Sequence, residues 1–113
     1  MATEYVAGNI YVRQMFFDDK PDMTVDGHAH NFGHVTYIVK GSAEIQLLDD
    51  GDNVIKSVIK RATDGFNWVF IEAGKRHRLI AKESGTVGHC LYSHRNPQGD
   101  VVVDYDGWTP GYR

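Results

Sequence analysis

The chain has 113 residues, 42% hydrophobic and 24% charged, with a formal net charge of −3 at pH 7. That is enough for one small globular domain and too little for two, so residues 1–113 are expected to form a single unit. No basic run is longer than Lys75-Arg76 and no apolar run approaches the roughly 20 residues of a membrane span, which argues against nucleic-acid and membrane partners.

Met1 to Tyr5 has neither a basic start nor an apolar core, so no secretion signal is expected. From there the chain alternates short segments rich in valine, isoleucine and aromatics with turn residues, drawing on 12 glycines and only 3 prolines. Strands are predicted over Ile10 to Phe17, Val35 to Val39, Ala43 to Leu48, Val54 to Ile59, Trp68 to Ile71, His77 to Ala81, Val87 to Tyr92 and Val101 to Tyr105. Ala43 to Leu47 alternates apolar and polar, the period of a half-buried strand, and Asp49 to Asn53 supplies turn chemistry for a hairpin with the strand at Val54. Lys40-Gly41-Ser42, Glu83-Ser84-Gly85 and Asn96-Pro97-Gln98-Gly99 read as further turns. No apolar face persists at a helical period. Eight short strands in about 100 residues predict an all-β sandwich or jelly-roll barrel. The last stretch, residues 105–113, carries Tyr105, Trp108 and Tyr112; such an aromatic tail is expected to cover a barrel end or a partner subunit, and a homodimer is expected. Cys90 stands alone, which excludes an intrachain disulfide and a cysteine-rich zinc site and suits a reducing, cytoplasmic setting.

Four histidines carry the chemistry: His28, His30 and His34 within nine residues of chain, and His77 beyond a long excursion. Neutral imidazole is the commonest protein metal ligand. His28 and His30 point the same way on an extended chain and lie roughly 6.6 Å apart, so they can share an ion. On a straight strand His28 and His34 would be roughly 20 Å apart, so the chain must bend, and Asn31-Phe32-Gly33 is the predicted kink. Ala73 to Arg76 reads as a turn delivering His77 to a neighbouring strand. The economical explanation is one mononuclear metal site inside a β-structure.

This arrangement resembles the cupins, β-barrels of the double-stranded β-helix type. Their first motif is a glycine, five residues, a His-x-His step, three or four residues, a glutamate, six residues and a glycine. Here His28, His30, His34 and Gly41 match from the first histidine onward, with His34 in place of the glutamate and Asp22 in place of the opening glycine. The second motif is matched in its core by Gly74 and His77, with Glu72 replacing a proline, Ala81 an asparagine, and Phe66 falling where the first glycine stands. The two motifs cover residues 22–41 and 66–81. The resemblance implies a barrel-mouth site holding one divalent transition metal through His28, His30, His34 and His77. An all-imidazole shell suits iron, zinc, nickel or copper better than manganese or magnesium.

The resemblance further implies metal-dependent enzymology on a small polar molecule. The ion would serve as a Lewis acid or, as iron, in oxygen chemistry, with a dioxygenase reading narrowly ahead of lyase or isomerase. The rival is a non-catalytic small-molecule binding or sensing barrel with a structural metal. Phe16, Tyr37, Phe70 and Tyr92 are expected cavity-wall residues, and Tyr37 and Tyr92 are the candidates for general acid or base work beside a cation. His89 and His94 are read as ordinary hydrogen-bonded histidines, Cys90 as a small buried hydrophobe, and Asp49, Asp50 and Asp52 as a solvated hairpin turn rather than a calcium loop.

Overall fold

In the computed structural model, residues 2–17 and 24–102 are described, and among them nine strands build two antiparallel sheets. The strands are β1 (Ala2–Ala7), β2 (Ile10–Phe17), β3 (Thr24–His28), β4 (His34–Lys40), β5 (Ser42–Leu48), β6 (Val54–Arg61), β7 (Trp68–Ile71), β8 (His77–Ala81) and β9 (Thr86–Ser93). One sheet runs β1-β2-β9-β4-β7 and the other β3-β8-β5-β6. The fold is all-β, a jelly-roll barrel. No helix of the described residues is long and apolar enough to cross a membrane.

The inward faces follow the pleat. Along β2, Tyr11, Met15 and Phe17 are buried with Arg13 between them on the same side; along β8, His77, Leu79 and Ala81 are buried at alternate positions. Met15, Phe17, Ile38, Ala43, Ile45, Ile71, Leu79 and Ala81 form one apolar core. It fills the end of the barrel away from the strand ends that carry Tyr11, His34, His77 and Tyr92. The opposite end is left as a cavity.

The turns are built as their residues require. Gly41 joins β4 to β5 at φ +78°, and a side chain there would run into Thr86, whose Cα lies 3.0 Å from the position a Cβ would take. The β5–β6 hairpin closes on Asp49, whose Oδ1 accepts from the backbone N of Gly51 at 2.9 Å and of Asn53 at 2.8 Å. These bonds, with that of the Asn53 side chain, hold the Asp49 carboxyl below its usual range. The acidic group is therefore a self-bonded turn.

β1 was not expected from sequence, and of β3 only the extended chain at His28 was. β1 pairs with β2 in continuous register from Ala2↔Met15 to Ala7↔Ile10, and β3 pairs with β8 through an irregularity between Val25 and His28. Of the strand expected at Val101 to Tyr105, the described part makes an isolated bridge from Val101 to Arg95. The rest of it, the aromatic tail with Tyr105, Trp108 and Tyr112, and Asp22 lie outside the described residues.

Candidate metal centre

β3 ends at His28, which stands directly across from His77, the first residue of β8. His30 follows two residues later, and its carbonyl accepts a 2.7 Å hydrogen bond from the Gly74 backbone N, tying the segment after β3 to the turn before β8. Gly74 takes φ +79°, the conformation that turn needs. The side-chain nitrogens of His28, His30 and His77 lie within 4.8 Å of one another. Nitrogens at about 2.0–2.1 Å from one zinc-like ion span at most about 4 Å, so small side-chain movements would close the group on a shared cation.

The chemistry of the donors fits such an ion. His77 is buried, and Nδ1–H donates to the Lys75 carbonyl at 2.9 Å, which leaves the Nε2 lone pair pointing away from that bond. Burial is the main reason its pKa falls to about 4, with His28, His30 and Arg76 adding to the depression against the opposing Lys75 bond. At neutral pH the ring is therefore the uncharged ligand form.

Arg76, beside His77, braces the approach. Its Nη2 donates to the Gly27 carbonyl at 3.1 Å and to Asp52 Oδ1 at 2.6 Å, and its Nε to the same oxygen at 2.9 Å. Gly27 lies close beneath these side chains: a Cβ there would sit 2.8 Å from Leu48 Cδ1 and 3.0 Å from Asp52 Oδ1, and their ends would have to shift.

His34 opens β4, 2% exposed, with its ring centroid 4.9 Å from that of His77 and 5.4 Å from that of His30. It borders the group of three and is not part of it. Of the expected set of four, three have nitrogens within 4.8 Å of one another, and His34 is buried beside them with its ring nearer that of His77 than the His30 ring is, at 4.9 against 5.7 Å. The kink at Asn31 to Gly33 is present as a bend, but Gly33 does not take a positive φ. Its smallness serves a close approach instead, since a Cβ would stand 2.7 Å from Phe70 Cζ.

The three rings open onto a cavity of about 210 Å³. Phe32 stacks on His30 at 4.9 Å and on Tyr92 at 4.0 Å, and Tyr92 packs against Tyr11 at 4.4 Å, so an aromatic row borders one side. Met15, Val25 and Leu79 supply apolar wall, and Arg13, Thr36 and Cys90 supply polar atoms.

Of the expected wall residues, Tyr92 lines the cavity; Tyr37, Phe16 and Phe70 do not. Tyr37 is 36% exposed on the outer face of β4, across from Trp68 and His89, and Phe70 is 56% exposed. Alternation decides this: His34, Thr36 and Ile38 take the inner positions, so Tyr37 must point out. Tyr37 therefore cannot act on a molecule held in this cavity.

His89 is also outside, where the Gln14 side-chain amide donates to its Nε2 at 2.9 Å and burial lowers its pKa. His94 is buried in the loop after β9, its backbone N bonded to the Asn9 carbonyl. Cys90 is half-buried, with Thr36 Oγ1 3.9 Å from Sγ. Burial pushes the thiol's pKa up, so it is protonated at neutral pH. Tyr11, Arg13, Phe32 and Thr36 escaped the sequence reading. The one available signal was an arginine sharing strand parity with Tyr11, Met15 and Phe17.

No protein-family model and no curated protein matches the sequence. Solved structures do resemble the fold. A mutant of the Bacillus subtilis oxalate decarboxylase OxdC superposes with a TM-score of 0.60 at 19% identity over 75% of this chain; the match spans 21% of that longer protein. KdgF from Halomonas sp. superposes with a TM-score of 0.62 at 17% identity, over 87% of this chain and 79% of its own. A cupin-2 domain protein from Shewanella frigidimarina gives 0.60 at 14%, over 82% and 79%. At these identities the likeness is one of architecture.

Proposed function

We propose that this chain, which has the cupin fold, is a metal-binding cupin that uses one divalent transition metal to act on a small polar molecule in its cavity. The observation that carries the reading is the meeting of His28, His30 and His77, from two separated stretches of chain, at a cavity wall. Among the described residues no carboxylate lines that cavity, and a donor set of imidazole nitrogens favours iron, zinc, nickel or copper. A bound ion would supply Lewis acidity or, as iron, redox capacity toward dioxygen. Three imidazoles leave coordination positions open, which supports catalysis over a closed structural site. Dioxygenase chemistry is proposed narrowly ahead of a lyase or isomerase.

In this reading His28, His30 and His77 hold the ion, and the Lys75 carbonyl orients His77. The aromatic row of His30, Phe32, Tyr92 and Tyr11 shields one side from water. Tyr92 is the remaining candidate for moving a proton. We place the protein in the reducing cytoplasm on the strength of the single Cys90.

Elemental analysis of protein purified without a histidine tag tests the proposal, followed by oxygen-uptake assays after the native metal is restored. Near-stoichiometric metal, lost in His28→Ala and His77→Ala, is the expected result. Wild-type protein that takes up none of the four metals ends the reading. His34→Ala decides the rival: loss of metal would make His34 a fourth ligand and favour a closed, non-catalytic site, whereas retained metal keeps it as a packing neighbour.

A further inference from the structure

Arg13 is a cation on an inner wall otherwise built for burial. It occupies the inward face of β2 between Tyr11 and Met15, half-buried, and lines the cavity that His28, His30 and His77 also line. Its positive charge reaches Cys90 on the neighbouring strand β9. Among the described residues no aspartate or glutamate lines the cavity, and the position at which the cupin motif carries glutamate holds His34. A half-buried guanidinium attracts anions more strongly than one in bulk solvent. Its fork of N–H donors matches a planar carboxylate in two parallel bonds.

Size and wall chemistry narrow the ligand further. About 210 Å³ is well beyond the space that one water needs. Met15, Val25, Leu79 and the Phe32 ring give that space an apolar lining, which favours a short hydrocarbon body over a bare inorganic anion.

We propose that Arg13 makes this cavity a receptor for a small organic carboxylate. The acid group pairs with the guanidinium, and the rest of the molecule lies along the apolar wall toward the three imidazoles. This specifies the substrate class of the site proposed above and rests on that reading for any chemistry, but the carboxylate pairing itself needs only Arg13. Glu4 stands across from Arg13 in the β1–β2 register and shares its side of the sheet, without lining the cavity. If Glu4 consumes the charge, the pairing fails.

The test is an NMR titration of isotopically labelled full-length protein with butyrate, and with the uncharged butyramide, both with and without one equivalent of zinc. We expect the Arg13 Nε–H resonance to shift on adding butyrate in the absence of zinc, and butyramide to bind at least tenfold more weakly. Arg13→Met should weaken butyrate by about ten- to a hundredfold, the range for a hydrogen-bonded charge pair, and leave butyramide unchanged. Arg13→Lys should fall between, because it keeps the charge and loses the fork. Equal butyrate affinity in wild type and Arg13→Met, butyramide binding as tightly as butyrate, or no butyrate binding to wild type would each overturn the proposal. Metal stoichiometry reports separately: wild type that takes up none of iron, zinc, nickel and copper ends the metal reading, while the zinc-free titration still decides this one.

Discussion

Lowering the pH should destabilise the metal-free protein through His77, and the size of the effect can be worked out. The ring is 4% exposed and its pKa is about 4, against about 6.5 for an unburied histidine. Above pH 6.5 the ring is neutral in both folded and unfolded chains and contributes no pH dependence. Between 6.5 and 4 the unfolded chain binds a proton that the native state refuses, so stability falls as pH falls, by at most about 1.4 kcal/mol per pH unit. At pH 5 the loss reaches about 2 kcal/mol, a sizeable share of a small domain's total. The assay is urea unfolding with a chelator present, at steps from pH 7.5 to 5, on wild type and His77→Gln. Glutamine cannot titrate, so the difference between the two stabilities isolates His77 from carboxylates and from the other histidines. That difference should change by about 2 kcal/mol across the range. A difference independent of pH would refute the argument that burial holds the ring neutral.

Gly41→Ala combines a left-handed backbone conformation with collision against Thr86, and should cost at least about 2 kcal/mol; Gly65→Ala, with nothing within 4 Å and an ordinary φ, should change stability by less than about 0.5 kcal/mol. Thermal unfolding of the two variants checks this, and equal melting temperatures would contradict it. Arg76→Ala removes three hydrogen bonds, but the Arg76 and Asp52 side chains are 31% and 47% exposed. Solvent screening should hold its cost to about 1 kcal/mol in denaturant unfolding, and a loss well above that would show that the brace is structural.

The homodimer expected from sequence has the aromatic tail as its contact, which lies outside the described residues; we propose that the outer face of the five-stranded sheet contributes to it. There a cross-strand row runs Tyr5, Val12, Leu91, Val35, Phe70, exposed at Tyr5 and Phe70 and buried at Val12, and Tyr37 and Trp68 lie exposed beside it. The outer face of the other sheet mixes a hydrogen-bonded group of Glu44, Gln46, Ser57 and Arg78 with exposed Ile55 and Ile59. Analytical ultracentrifugation should find a dimer that Trp68→Ser with Phe70→Ser converts to monomer, and a monomeric wild type would sink the assignment.

The strands at Ile10–Phe17, Trp68–Ile71 and His77–Ala81 were legible to the residue because glycines and polar clusters bound them and β-branched or aromatic residues fill them. β1 was not, because Ala2–Ala7 has little apolar alternation and is held mainly by pairing with β2. The candidate ligands were legible because a His-x-His step on extended chain has one local consequence, that both rings face the same way. Which face is inner was not legible. In β2 both parities contain one polar residue, Arg13 among Tyr11, Met15 and Phe17, and Gln14 between Val12 and Phe16. The same ambiguity misplaced Tyr37 and concealed Arg13.

The sequence by itself determined the all-β class, the turns and the residues able to bind a cation, since each depends on neighbours a few positions away. Only the tertiary structure decided that His28 meets His77 across a strand pair, and that Arg13 shares their cavity. Those outcomes depend on registers between strands far apart in the chain, and a shift of one residue in any of them would turn the same side chains to solvent.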